Sequence, residues 1–468
     1  MKLFKQSKKK NEEIDYEEAA YFFMEFCKSY SQHFIGWGMN SVDHARYYLS
    51  GLLGTQRRKN IEVIEQDVVG SDYQGLKQFI SSSPWDHQKL MDHIATDVSD
   101  FFNDAFHTGL FIDESSFLKK GDSSVAVQRQ WSGRAGKIEN CQVGVFACLG
   151  NSQNVCLTDF RLYLPKSWAE DKERMAKAKI PEDQREYKPK WQQALELVKH
   201  AQELNLKYGW VGFDSLYGSN RELVNAIEDL GEYFVGDVDK STKVWTEKPL
   251  YEEPLKHSPK IGRPRKRYRI SKENESEYIR VEDIAADSFD SEYKEVKYRH
   301  GAKGELWTKI MIKKVWTWEE GIEEPRQRIL IIRQDADGSF KYSLTNILNG
   351  KSLSYYAWVQ SQRFWIEHAF RECKSEIGMA QYQVRVWQGW HHHIALTALA
   401  LLFTQKLKQK SLDVLPMLSV RDITELLDLY IPRRKFDKYE VINNIKKRHK
   451  QRELDILRRQ KKKTGLQV

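Results

Sequence analysis

The stretch GWVGFDSLYGSNRELVNAIEDLGEYFVGDV, residues 209–238, leaves few folds open to this chain. It opens with a short strand, GWVGFD, ending in Asp214. A helical segment, SNRELVNAIEDLG, follows, and then a second strand, EYFVGDV (232–238). Strands that alternate with helices pair in parallel, because the helix carries the chain back across the sheet.

Upstream, TGLFID (108–113), CQVGVFACL (141–149) and VCLTDFRLYLP (155–165) read as three more strands. The last two are joined by the turn-like GNSQN, and a helix is expected through WQQALELVKHAQELNL (191–206). The order β-β-β-α-β-α-β combines a meander with parallel strands. It predicts an α/β protein built on a mixed sheet.

The flanks differ in character. Residues 1–104 show helical spacing three times: Ala19, Phe22, Phe26 and Tyr30; Val42, Ala45, Leu49 and Leu52 behind Ser41 as an N-cap; and Leu90, Ile94, Val98 and Phe101. An all-helical N-terminal domain is expected there. Residues 239–350 are charged and contain β-like runs such as ELWTKIMIKKVWTW and RILIIRQD, which predicts a mainly β insertion. Residues 105–238 and 351–410 would then be two parts of one core, with helices at about 355–377 and through GWHHHIALTALALLFTQKL. Residues 411–468 read as a basic helical end.

Charge is clustered. In KHSPKIGRPRKRYR (256–269) seven of fourteen residues are Lys or Arg and none is acidic. In KKRHKQRELDILRRQKKK (446–463) ten are basic against Glu453 and Asp455. Together they hold more positive charge than the chain's net +9, which points to a polyanion, most simply nucleic acid. Solvated tails are the plainer alternative. The longest apolar run, IALTALALLF, is too short to span a bilayer, and no apolar segment follows the basic N-terminus to make a signal peptide. Five cysteines without a CxxC pair argue for a reducing compartment and against structural zinc.

Two aspartates, Asp113 and Asp214, fall at predicted strand tips, where α/β sheets gather ligands. The helix RFWIEHAFRECK (363–374) adds a third acid. Steps of three and four place Ile366, Phe370, Cys373 and Ile377 on one apolar stripe, with Glu367 among Arg363, Arg371 and Lys374 on the next. Three carboxylates on separate rigid elements can converge on hard cations, which take oxygen ligands. The plainer alternative makes the aspartates turn formers and the helix edge a solvated ion-pair lattice.

Asp113, Asp214 and a later helical Glu367, taken in order, resemble the DDE transposases. RFWIEHAFRECK is similar to the Y-x2-R-x3-E-x6-K signature of bacterial insertion-sequence transposases of the group that includes the Tn-five enzyme. Arg363, Glu367 and Lys374 match it, whereas Gln360 stands where the signature has Tyr. FIDESSFLKKG, RQWSGRAGKIENCQVGV, RLYLP and VRVWQGWHHH resemble the branch typified by insertion sequence seven-hundred-one.

The resemblance implies a ribonuclease-H-like core with a catalytic triad of Asp113, Asp214 and Glu367. That triad would hold two Mg²⁺ ions, with Mn²⁺ able to substitute. Implied DNA contacts are Arg363, Lys374, Lys119, Lys120 and Arg129, with an insertion aromatic such as Trp316 (beside Trp307 and Trp318) holding a flipped base. Implied partners are double-stranded DNA, both element ends and target, and a second copy of the chain in the DNA complex. The implied location is the cytoplasm of a prokaryote, at the nucleoid, with no membrane. A DNA-binding protein that has lost transposition, or a nuclease without strand transfer, are the alternatives.

Two motifs stand apart. GRPRK (262–266) resembles an AT-hook, which would place Arg263 and Arg265 in a minor groove, against the alternative of a basic loop touching phosphates. His391, His392 and His393 point about 100° apart on a helix, so they suit DNA contact or packing better than one metal ion.

Overall fold

The computed structural model describes residues 17–36, 39–254, 266–271, 277–301, 304–318, 324–348, 350–412, 415 and 417–463. A large mixed sheet forms its centre. In chain order the strands are β1 (Gly109–Leu118), β2 (Gln128–Ser132), β3 (Lys137–Gly150), β4 (Val155–Leu162), β5 (Trp210–Phe213), β6 (Phe234–Asp237), β7 (Lys294–Gly301), β8 (Gly304–Thr317), β9 (Arg326–Gln334) and β10 (Phe340–Thr345). Their order across the sheet is β7-β8-β9-β10-β6-β5-β1-β3-β2, with β4 also paired to β3. β1, β5 and β6 run parallel, and β3 is antiparallel to both β1 and β4.

The expected strands are present with altered limits. β1 does not stop at Asp113 but runs on to Leu118. The reason is β3, which supplies antiparallel partners along the whole length from Gly109↔Gly150 to Leu118↔Cys141. The β-rich insertion forms two short ribbons of its own, Lys243–Val244 with Ile279–Arg280 and Tyr251–Glu252 with Arg269–Ile270, but its longer strands join the central sheet. Its last strand, β10, pairs antiparallel with β6, so β7 to β10 extend the central sheet. A second, smaller apolar cluster lies on this side, around Val244, Val281, Val315 and Leu330.

Helices cover the sheet. The N-terminal set is α1 (Glu17–Ser29), α2 (Val42–Leu52), α3 (Ile61–Asp67), α4 (Tyr73–Ser81) and α5 (His87–Phe102). It is not purely helical, since Ile35–Gly36 and Met39–Asn40 pair as a short ribbon. Asn60, Asp72 and Asp86 cap α3, α4 and α5 by accepting backbone N–H bonds, the role short polar side chains favour. After α6 (Lys190–Glu203), α7 (Ser215–Gly218) and α8 (Arg221–Asp229), the predicted helix at 355–377 is divided into α9 (Leu353–Ser361) and α10 (Phe364–Glu372). A π turn, Cys373–Ile377, closes α10, and Gly378 ends it at φ 88°, a conformation glycine takes without a Cβ penalty.

α11 (Trp387–Lys410) is the central post: nearly every residue from Trp387 to Gln405 is buried. α1 packs Phe22, Phe23 and Phe26 around Phe403, so the N-terminal helices and the sheet share one core. Glu372 of α10 accepts from Lys408 at 2.9 Å and Gln405 at 3.2 Å, fixing α10 against α11. Beyond α12 (Val420–Tyr430), the basic α13 (Lys438–Lys463) completes the chain's described part. Among the described residues no helix is long and apolar enough to cross a membrane.

Candidate active site

Parallel register brings the first two acids together. The last paired residues of β1 and β5 are Ile112 and Phe213, so Asp113 and Asp214 follow side by side at the same level of the sheet. Asp214 also caps α7: its Oδ1 accepts from the N–H of Leu216 at 3.0 Å and of Tyr217 at 3.4 Å. The turn-forming role is therefore real, and it engages one carboxylate oxygen.

A further acid lies beside them that the sequence reading did not single out. Asp237 ends β6, the strand parallel to β5. The rule that drew attention to Asp113 and Asp214, an Asp at a strand tip, applies equally to EYFVGDV. Gly218 of α7 allows this approach. A Cβ there would lie 2.1 Å from the carbonyl oxygen of Asp237, so no larger residue fits without moving β6 or α7.

Glu367 comes from α10, and Arg363 stands at the break before it. The Arg363 guanidinium is surrounded by acids. Its Nη1 lies 2.7 Å from Glu367 Oε1 and 4.0 Å from Asp113 Oδ2, and its Nε donates to Asp237 Oδ2 at 3.0 Å. Burial opposes the arginine's charge, but Asp237, Glu367 and Asp113 outweigh it and hold the group firmly protonated. These residues, with Asp214, Lys240 and Lys341, line a cleft of about 820 Å³.

The electrostatics of the aspartates suit a cation. Burial, then repulsion from Asp214, pushes the Asp113 carboxyl up to about 7. Asp214 is raised too, mainly by burial. A buried pair of acids that disfavours its own charge is relieved by a positive ion, and an all-carboxylate donor set is what Mg²⁺ and Mn²⁺ accept. Among the described residues, however, no three Asp, Glu, His or Cys side chains are gathered tightly enough to grip one ion. Glu367 is 55% exposed and turned to Arg363.

The other residues singled out from the sequence lie elsewhere. Lys374 donates its Nζ to the Ser116 carbonyl at 3.1 Å and sits by the rings of Phe117 and Phe370. Burial lowers it to about 8. Lys119 is stacked 3.4 Å over the Tyr382 ring and is pushed down to about 7 by burial. Lys120 and Arg129 are exposed, outside the cleft. In the insertion, Trp316 is partly buried with Lys248 above its ring, Trp318 is buried, and Trp307 is 51% exposed. Arg263 and Arg265 fall outside the described residues.

The histidine triplet is packing. His392 stacks on Trp85 and contacts the Ile80 and Trp85 carbonyls. His391 meets the Trp387 carbonyl, and His393 lies between the Tyr48 hydroxyl and the Met379 carbonyl. Burial lowers all three, so they are neutral core groups.

Comparison with known proteins adds three findings. A family model described as DDE superfamily endonuclease matches residues 39–305, which include Asp113, Asp214 and Asp237 and end before Arg363 and Glu367. A probable transposase for insertion sequence element IS701 from Microchaete diplosiphon is 27% identical over 217 residues, 46% of this chain and 53% of the relative. The chain thus spans about half the length of that relative. A solved piggyBac transposase synaptic complex with hairpin DNA aligns at a TM-score of 0.39 and 9% identity, over 88% of this chain and 77% of that one.

Proposed function

The chain belongs to the DDE superfamily endonucleases, and on that premise we propose that it is a transposase. It would bind the terminal inverted repeats of its element, cleave there and join the ends to target DNA. The observation that carries this reading is the placement of Asp113 beside Asp214, with Glu367 tied through Arg363 across the same cleft. Similarity to the IS701 transposase supports it. So does the strand order β4-β3-β1-β5-β6, with β1, β5 and β6 parallel and β3 antiparallel, as a ribonuclease-H-like core would require.

Asp113, Asp214 and Glu367 would hold two Mg²⁺ ions, with Mn²⁺ an acceptable substitute. Such ions supply a nucleophile and stabilise the leaving oxygen of a phosphodiester. The chain's own groups do the rest. Asp113 and Asp214 bind as carboxylates fixed to sheet backbone, so their spacing does not change. Glu367, paired here with Arg363, would have to turn toward the aspartates to join them. The Nη groups of Arg363 would then face the phosphates, and Lys374, which donates to the Ser116 carbonyl outside the cleft lining, would reach a phosphate only on leaving that bond. A bidentate guanidinium suits phosphate geometry. The N-terminal helices and the basic segments would hold the duplex, and pairing two ends calls for two copies of the chain.

The test is a duplex carrying the DNA that flanks this gene, incubated with a target plasmid and Mg²⁺. The expected products are ends joined to plasmid. Cleavage without joining would leave a nuclease, and binding without cleavage a DNA-binding protein.

A further inference from the structure

We propose that Asp237 is a positioning residue that sets the Arg363 guanidinium over the cleft, and that Ser343 and Gln360 hold Asp237 in turn. The inference rests on the reading of the cleft as the site of phosphoryl transfer. Both oxygens of Asp237 are already engaged. Oδ1 accepts from the Ser343 hydroxyl at 2.6 Å, and Oδ2 accepts from Arg363 Nε at 3.0 Å. Ser343 in turn accepts from Gln360 Nε2 at 2.9 Å. A hydroxyl has one proton to donate and lone pairs to accept with, so the direction of the chain is fixed: amide to hydroxyl, hydroxyl to carboxylate, guanidinium to carboxylate.

The relay is built into the sheet. Ser343 on β10 lies directly opposite Asp237 on β6 in the antiparallel register, and Gln360 reaches them from α9. Ser343 is fully buried and Gln360 is 6% exposed, so these bonds are shielded from water. Arg363 lies in the turn where α9 gives way to α10, its carbonyl accepting from the Ile366 N–H at 3.3 Å, so the backbone is held while the guanidinium's direction is set by its side-chain partners. Gripping its Nε leaves Nη1 facing Glu367 at 2.7 Å and Asp113 at 4.0 Å across the cleft. Asp237 therefore acts through Arg363, and its oxygens are not spare ligands for an ion. The relay also gives Gln360 a role at the position where the signature has Tyr: it is a donor, by amide instead of phenol.

A double-mutant cycle tests this, read as affinity for a mixed-sequence duplex with Mg²⁺ present at fixed ionic strength. Asp237→Asn should weaken binding about tenfold, the scale of a lost bond to a charged group, and Ser343→Ala and Gln360→Leu about two- to threefold. In the Arg363→Ala background none of the three should cost anything further, because a residue that acts through another is silent once that residue is gone. Equal losses with and without Arg363 would overturn the proposal, as would wild-type binding by Asp237→Asn. If Asp237→Asn does not fold, the Ser343→Ala cycle decides by the same criterion. Failure of the functional reading is visible separately, as cleavage retained by Asp113→Asn.

Discussion

Gly218 and Asp237 approach so closely that a Cβ on the glycine would sit 2.1 Å from the aspartate's carbonyl oxygen. This contact seats the turn that carries Asp214 on the strand that carries Asp237. Gly218→Ala should destabilise the fold by about 1–3 kcal/mol, the usual cost of forcing a methyl group into filled space. Gly121, with nothing within 4 Å of its Cβ position, is the control. Gly121→Ala should stay within about 0.5 kcal/mol of wild type. Thermal or urea unfolding of both variants measures the difference.

Asp113 makes stability depend on pH. Its carboxyl is raised to about 7 in the folded state, against about 3.9 in an unfolded chain. The folded state therefore binds the extra proton between those values, and stability falls as pH rises through that window. Asp113→Asn removes the cost. It should be more stable than wild type at pH 8 by on the order of 1–3 kcal/mol, with the gap closing toward pH 4. Mg²⁺ should raise the wild-type melting midpoint at pH 8 and leave that of the variant unchanged.

Away from the cleft, buried Asp159 accepts from Arg161 and from His200 Nδ1, each at 2.8 Å. His200 is raised, chiefly by that hydrogen bond. Asp159 is lowered, because Arg161 and His200 together outweigh its burial. The histidine's contribution is complete below its ordinary value of about 6.5 and is lost as pH rises through the higher folded value. The aspartate's contribution is lost as pH falls through its depressed value. His200→Gln should therefore flatten the decline in stability just above neutrality. A melting series across pH 6 to 9 that showed the same decline in both proteins would contradict it.

Burial pushes the Lys374 ammonium down to about 8. If it serves phosphate, duplex affinity of the wild type should weaken as pH passes that value, and Lys374→Ala should show no such step. The variant's salt slope should be shallower by about one unit. Filter binding or fluorescence anisotropy at several salt concentrations reads both effects.

How much of this was legible in the sequence depends on the range of the interaction. The stripe Ile366, Phe370, Cys373 and Ile377 could be read because helical spacing is local, and all four are buried. Asp113 and Asp214 were visible as acids ending apolar runs. The break at Gln362 and Arg363 was not, since no Gly or Pro marks it and Arg363 answers to Asp237, 126 positions away. The burial of Lys119 was equally hidden, because it is decided by Tyr382, 263 positions on. The union of the insertion with the central sheet rests on the pairing of Ser343 to Thr345 with Val235 to Asp237, a long-range register that composition does not encode.

The central claim is that Asp113, Asp214 and Glu367 form one cation-dependent centre for phosphodiester chemistry. The most direct measurement is Mg²⁺-dependent cleavage of a labelled duplex bearing the DNA that flanks this gene, run beside a binding assay on the same duplex. Asp113→Asn, Asp214→Asn and Glu367→Gln should each abolish cleavage and leave binding within a few-fold of wild type, since each keeps side-chain volume and removes a charged ligand. Cleavage near the wild-type rate by any one of them, or wild-type cleavage undiminished by a chelator, would contradict it.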